Sequence, residues 1–127
     1  MLVGLVAGLI GCRASVHRDR LPVRSANLCV GSSNFSLLFS EFRAFAADNR
    51  AKIDISRVSP SEPRYRIQLW SEEVEIIAVN PFEIEVFRVG VYNPRQKSLS
   101  PARALHYLEA LRSRTEAVPG ASFDIEP

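Results

Sequence analysis

The sequence predicts an α+β fold, a two-layer sandwich in which two helices cover one face of a mainly antiparallel sheet. Three observations predict it. The chain has 127 residues, 46% of them hydrophobic, which suits one domain with a core of ordinary size. Two segments with the helical spacing of apolar residues are separated by short alternating segments. No segment repeats another, so a repeat architecture is excluded.

The first predicted strand and the first predicted helix follow each other closely. Residues 26–31 form an apolar run that ends in Gly31, as a short strand does. Ser32 and Ser33 then predict a helix cap. The helix that follows carries an aromatic-rich stripe on one face, formed by Phe35, Leu38, Phe39, Phe42, Phe45 and Ala46. We interpret this stripe as core packing.

Four strands are predicted in the middle of the chain, at residues 52–58, 64–70, 74–79 and 82–92. Two prolines end the first of them, since proline donates no hydrogen bond to a ladder. Asn80-Pro81 marks the turn before the last. In that last strand the apolar residues change parity near Val86, which predicts either a bulge or cover on both faces.

The second predicted helix begins at Ser100-Pro101, a capping serine followed by a proline. Its apolar face consists of Ala104, Leu105, Leu108 and Leu111. We expect the helix to end near Ala117 and residues 121–126 to form a last strand. The complete order, β-α-β-β-β-β-α-β, predicts a ferredoxin-like variant with an added hairpin.

Positive charge is concentrated near the N-terminus. The chain carries 16 Lys and Arg against 14 Asp and Glu, a net charge of +2. Residues 13–24 alone carry +3, which leaves −1 for the rest of the chain. The basic character therefore belongs to a tether, and the predicted domain, residues 26–127, is nearly neutral. A nearly neutral domain argues against nucleic acid as the partner.

Residues 1–11 carry no charge and lead to Cys12. They are too few to span a bilayer, which takes about 20 helical residues, and are typical of the hydrophobic region of a secretory signal peptide. The residues Leu9-Ile10-Gly11-Cys12 resemble the lipobox of bacterial lipoproteins, although no Lys or Arg precedes the apolar run. The resemblance implies that residues 1–11 are a signal peptide that is removed, and that Cys12 carries the lipid. Residues 12–25 would then be the lipidated cysteine and its basic tether.

The same resemblance implies a location. Several acyl chains on Cys12 would anchor the protein stably in a membrane. Arg13, instead of Asp, implies the outer membrane under the enterobacterial sorting rule, with the domain facing the periplasm. Cys29 would then have no internal partner. If Cys12 is not lipidated, a disulfide between Cys12 and Cys29 is open in an oxidising compartment.

Residues that carry enzymatic chemistry are scarce. The sequence contains no glycine-rich phosphate loop, no nucleophile elbow and no zinc-ligand spacing. His106 and Glu109 lie one helical turn apart, which is more typical of a helix surface than of a metal site. Cys29 with His106 as its base is a candidate nucleophile pair, but a cysteine in an apolar strand is more often an inert small apolar residue. We expect no enzymatic activity, no cofactor and no metal.

The strand at residues 64–70 carries the first candidate binding surface. One parity of this strand combines cationic and aromatic groups, namely Arg64, Arg66, Gln68 and Trp70. On an open sheet face these groups suit a protein partner, because Trp and Arg are common interface anchors, or single-stranded nucleic acid. Packing of Trp70 at the rim of the core is the alternative that needs no ligand.

The second candidate surface is acidic and follows directly in the sequence. It consists of Glu72, Glu73, Glu75, Glu83 and Glu85. We interpret these residues first as the solvated face or edge of a hairpin, where charge discourages aggregation. A face that binds a partner is the second interpretation.

These observations predict a small exported lipoprotein that acts by binding in the cell envelope, without catalysis. Its partners would be a membrane, through the anchor, and a protein of unknown identity. One alternative is a periplasmic immunity or inhibitor-type protein that binds through the acidic residues. The other is a cytoplasmic α+β domain that binds nucleic acid, which requires that the N-terminus is not a signal.

Overall fold

A computed structural model describes residues 20–81 and 85–127 of the chain. The elements of these residues are β1 (Arg24–Cys29), a 3-10 turn (Ser32–Asn34), α1 (Phe35–Asp48), β2 (Lys52–Arg57), β3 (Tyr65–Trp70), β4 (Glu75–Val79), β5 (Val86–Tyr92), α2 (Pro101–Thr115) and β6 (Ser122–Ile125). This order confirms the predicted β-α-β-β-β-β-α-β pattern. The predicted two-layer α+β sandwich is confirmed as well.

The described strands form a single sheet in the order β2-β3-β4-β5-β1-β6. Strands β2 to β5 form a meander in which each strand pairs with the next one along the chain. Strand β1 lies between β5 and β6 and pairs with both. All pairs are antiparallel, which leaves β2 and β6 as the two edges.

Both helices pack on the same face of the sheet. The stripe on α1 is buried there, with the Phe35 ring centroid 5.3 Å from that of Phe87 and 5.8 Å from that of Tyr65. Helix α2 buries Leu108 and Leu111 against the same core. Alternate strand residues complete this core because side chains one residue apart point to opposite faces. The other face of the sheet has no described helix on it.

The two predicted helix starts have different outcomes. The Ser100 side chain accepts a hydrogen bond of 3.1 Å from the Arg103 N–H, and Pro101 is the first helical residue, which confirms that cap. The expected cap by Ser32 and Ser33 is wrong. Those serines lie in the 3-10 turn, and the residue that caps α1 is Asn34, without a side-chain bond to the helix.

Two strand boundaries also differ from the prediction. Strand β1 begins at Arg24, two residues before Ala26, and is preceded by a hydrogen bond of 2.7 Å from the Val23 N–H to the Val91 carbonyl. Strand β5 begins at Val86, and its register with β1 is regular from there onward. The change of parity therefore falls at the start of β5, and residues 82–84 lie outside the described part of the chain. Within the described part, no helix is long and apolar enough to cross a membrane.

Candidate interaction surface

The face of the sheet that points away from the helices is the candidate site, and we call it the open face. Its members follow from the strand register, because directly paired residues of an antiparallel ladder point to the same side. It comprises Lys52, Asp54, Ser56, Arg66, Gln68, Trp70, Glu75, Ile77, Val79, Val86, Arg88, Gly90, Tyr92, Ser25, Asn27, Cys29, Ser122 and Asp124. Of the predicted binding residues, the structure therefore brings Arg66, Gln68 and Trp70 together on this face.

The middle of the open face is apolar. Ile77 and Val79 of β4 and Tyr92 of β5 lie there, each half-buried although no helix covers them. Trp70 is the ladder partner of Glu75, which in turn pairs with Tyr92. Of the Trp70 surface, 38% is exposed. Apolar side chains on a solvated sheet face are the feature by which an interaction surface differs from an ordinary polar one.

Tyr92 lies against the backbone of Gly90. A Cβ atom at residue 90 would come within 2.8 Å of the Tyr92 ring, so only glycine leaves room for the ring in this position. Burial raises the pKa of the Tyr92 phenol, and the positive charge of Arg20 acts in the opposite direction. Tyr92 is not among the binding residues predicted from the sequence. The sequence does place it on one face with Arg88, since Arg88, Gly90 and Tyr92 alternate along one strand.

Arg20 binds one end of the open face. Its guanidinium donates to a Glu75 carboxylate oxygen at 2.5 Å and to the Asn93 carbonyl at 3.0 Å. It also lies 4.8 Å from the centre of the Tyr92 ring, a cation–π contact. The Gln68 amide donates to the other Glu75 oxygen at 2.8 Å. Arg20 was assigned to the tether, and in the structure it is bonded to the domain.

Arg88 is neutralised at the other side of the face. It donates two hydrogen bonds to the Glu126 carboxylate, at 2.7 and 3.0 Å. The Ser25 hydroxyl donates to the same carboxylate at 2.6 Å. The Ser25 bond first, and the Arg88 bonds after it, lower the pKa of Glu126 below its ordinary value.

Arg66 is different from Arg20 and Arg88 because it has no hydrogen-bond or ion-pair partner among the described residues. It is half-buried and lies directly beside Val79 in the ladder. Its charge acts against the burial that raises the pKa of Tyr92. The open face therefore holds an unpaired guanidinium next to its apolar centre.

Arg64, the remaining residue of the first predicted surface, lies before β3. Its guanidinium donates to the Pro81 carbonyl at 2.5 Å and to the Glu62 carboxylate at 2.6 Å. It holds the loop after β2 to the turn after β4. Arg64 is therefore occupied by contacts within the chain.

Of the described acidic residues of the second predicted surface, Glu72, Glu73 and Glu75 lie at one end of the hairpin and Glu85 lies at the other. Glu73 accepts a hydrogen bond of 2.6 Å from Lys97, which lowers the pKa of Glu73 and raises that of Lys97. Glu75 is bound by Arg20 on the open face, and Glu72 is exposed in the turn before it. Glu85 lies at the opposite end of the β4–β5 pair, where it accepts from the Ser32 N–H at 3.0 Å. Glu83 lies outside the described residues.

A groove adjoins the Trp70 end of the open face. It has a volume of about 1190 Å³ and is closed on one side by the loop at residues 94–97. Charges of both signs line it, among them Arg50, Lys52 and Glu72. It extends the open face towards the end of α1.

The candidate catalytic pair is separated by the sheet. Cys29 is exposed on the open face. His106 is exposed on α2, on the helix side. Glu109 approaches Arg112 at 4.0 Å and is not hydrogen-bonded to His106. In the described part of the chain, no three His, Cys, Asp or Glu side chains gather in a way that could hold a metal ion.

The fold and the open face together define a class of structure, an α+β sandwich with one sheet face free of helices. Comparison with protein-family models, with curated proteins and with solved structures finds no match. The function is therefore argued from the open face and from the N-terminal sequence.

Proposed function

We propose that this chain is a small exported lipoprotein, anchored in the bacterial cell envelope through Cys12, whose α+β domain binds a protein partner through the open face. It acts without catalysis, and the outer membrane is the location favoured by Arg13. The observation that carries the binding role is the unpaired guanidinium of Arg66 beside half-buried apolar side chains. The anchor rests on the residues Leu9-Ile10-Gly11-Cys12 alone, which lie outside the described part of the chain.

The chemistry of the open face selects the kind of partner. Ile77, Val79 and Tyr92 offer apolar area that a partner would remove from water. Covering Arg66 at the same time costs free energy unless the partner supplies an anion. A carboxylate meets this need, because it accepts two parallel hydrogen bonds from one guanidinium. The partner we propose is therefore a protein surface with an Asp or Glu set among apolar side chains.

The two alternatives have less support. Binding of nucleic acid needs several free cations along the backbone path. On the open face Arg20 and Arg88 are neutralised by Glu75 and Glu126, which leaves Arg66 and Lys52 against Asp54 and Asp124. An immunity-type protein that uses the acidic residues needs them free on one surface. Glu85 lies at the opposite end of the hairpin from the other three, and Glu73 and Glu75 are bound by Lys97 and Arg20.

Intact mass spectrometry of the full chain, extracted from the membrane fraction of the host, tests the anchor. We expect a polypeptide that begins at Cys12 and carries the added mass of its acyl chains. The Cys12→Ser variant is the matched control and should lose both the added mass and the membrane fraction. A mature chain that begins at Met1 without acyl mass would contradict the proposal.

Photo-cross-linking in the same membrane fraction tests the binding face. A photoreactive residue at Ile77 reports on the open face, and one at Ala110, exposed on α2, serves as the control. We expect a discrete product with a second protein from position 77 and none from position 110. Equal yields of cross-linked product from both positions would contradict a partner on the open face. So would a product that contains only copies of this chain.

A further inference from the structure

We propose that two copies of this chain associate through strand β2, edge to edge and antiparallel, about a two-fold axis that passes through Ile53. This inference is independent of the partner on the open face. It rests on the exposed edge, on partly buried isoleucines beside it and on the order of charges along the strand.

Strand β2 has a free side. Within the described residues it pairs only with β3, so the backbone N–H and C=O groups on its outer side have no ladder partner. It is six residues long, whereas the other edge, β6, has four. A free edge of this length is a template for a further strand.

The helix side of β2 is incompletely covered. Ile53 and Ile55 point towards the helices but are only partly buried, while their ladder partners Leu69 and Ile67 on β3 are buried. The apolar core therefore continues to the edge of the sheet and is not closed there. A neighbouring strand would cover apolar surface at this edge, most directly the Ile53 side chain, and remove it from water.

The charges of β2 select one register. Residues paired across the two copies must point to the same face of the joined sheet, so the two-fold axis must pass through a residue of β2. The choice of that residue decides which side chains of the two copies lie opposite each other. An axis at Lys52 places two lysines opposite each other, and an axis at Asp54 places two aspartates opposite each other. An axis at Ile55 pairs Asp54 with Ser56 and leaves both charges unmatched. An axis at Ile53 pairs each Lys52 with Asp54 of the second copy, twice in one dimer. In this register the two strands overlap at residues 52–54, and Ile55 lies opposite Ala51 of the second copy.

This register also satisfies groups that are free in the single chain. Neither the Lys52 nor the Asp54 side chain has a hydrogen bond or an ion pair within the described residues. A two-fold axis perpendicular to the sheet keeps the helices of both copies on one side. The two open faces would then join into one continuous surface, because Lys52 and Asp54 belong to the open face.

The experiment exchanges the charges. The self-association constant of the full chain in detergent is measured by sedimentation equilibrium, with a reductant present because Cys29 is exposed. We expect the wild-type chain to form a dimer. Lys52→Asp and Asp54→Lys each create two like-charge contacts per dimer and should weaken it about tenfold or more. The double variant restores opposite charges and should associate within about threefold of wild type.

Both positions are exposed on an edge strand, so the variants should keep the fold, which circular dichroism checks. A wild-type chain that stays monomeric, or that forms open-ended oligomers, would overturn the proposal. So would a double variant as weak as the single ones. These outcomes do not depend on the cross-linked partner of the open face, so failure of one proposal is distinguishable from failure of the other.

Discussion

Tyr92 occupies its position on the open face because residue 90 has no side chain. Its ring lies over Gly90 and under the guanidinium of Arg20, which is held by Glu75. A single glycine thus sets the shape of one end of the open face. The same glycine in an exposed strand would carry only a cost in backbone entropy.

We predict that Gly90→Ala destabilises the protein by about 1 kcal/mol. The new methyl group displaces the Tyr92 ring, and the free-energy cost of that displacement exceeds the gain in backbone entropy from replacing glycine by alanine in a strand. Urea unfolding measures this. The control is the same change in a Tyr92→Ala background, where the methyl group meets no ring. An equal cost in both backgrounds would show that the ring does not depend on Gly90.

The state of Tyr92 has a consequence at alkaline pH. Burial raises the pKa of the Tyr92 phenol in the folded chain. The contribution of the neutral hydroxyl to folding stability is therefore complete below the ordinary tyrosine pKa of about 10, and it is lost as the pH rises through the pKa of the folded state. We predict that wild type loses unfolding free energy above pH 10 relative to Tyr92→Phe. Denaturant unfolding of both chains at pH 8 and pH 11 measures it. Parallel curves would contradict the burial of this hydroxyl.

Asn80 connects three strands at the element scale. It is fully buried, its side-chain oxygen accepts from the Tyr65 N–H at 2.8 Å, and its amide donates to the Val86 carbonyl at 2.8 Å. It therefore takes the place of ladder bonds where β3 begins, β4 ends and β5 begins. The sequence indicated a turn at Asn80-Pro81 but not this buried role.

We predict that Asn80→Ala costs about 2–4 kcal/mol, because it removes a fully buried amide that partners the part-buried Tyr65 N–H and Val86 carbonyl. Thermal or urea unfolding measures the loss. Asn93→Ala is the matched control, since the exposed Asn93 side chain accepts a similar bond from the Leu99 N–H at 2.7 Å. Comparable losses for the two variants would contradict the weight given to burial.

Local pattern was sufficient to predict the elements, and long-range pairing was not. The spacing of apolar residues predicted both helices, and the Ser100-Pro101 start was confirmed because a cap depends only on its own neighbours. The position of β1 between β5 and β6 was not predicted, since the alternating pattern along a strand does not indicate which other strands it pairs with. Arg20 was placed in the tether because its partner Glu75 lies 55 residues away.

At the scale of the whole molecule, the two described helices pack on one face of the six-stranded sheet, and the other face has no described helix on it. Four ionic groups at the uncovered face are paired with each other, Arg20 with Glu75 and Arg88 with Glu126. Among the described residues, Arg66 beside the apolar centre and Lys52 near the edge have no such partner. The strand pattern predicted Arg66, Gln68 and Trp70 on one face, but which cation stays free depends on contacts between distant strands.

The most direct test of the binding proposal is the yield of the cross-linked product from position 77 in two charge-reversal backgrounds. Arg66→Glu changes the unpaired guanidinium of the open face. Arg43→Glu makes the same change at an exposed, unpaired arginine on α1. We predict that Arg66→Glu reduces the yield about tenfold or more, as for a hot-spot residue, and that Arg43→Glu leaves it unchanged. Equal yields in the two backgrounds would contradict a partner bound through Arg66.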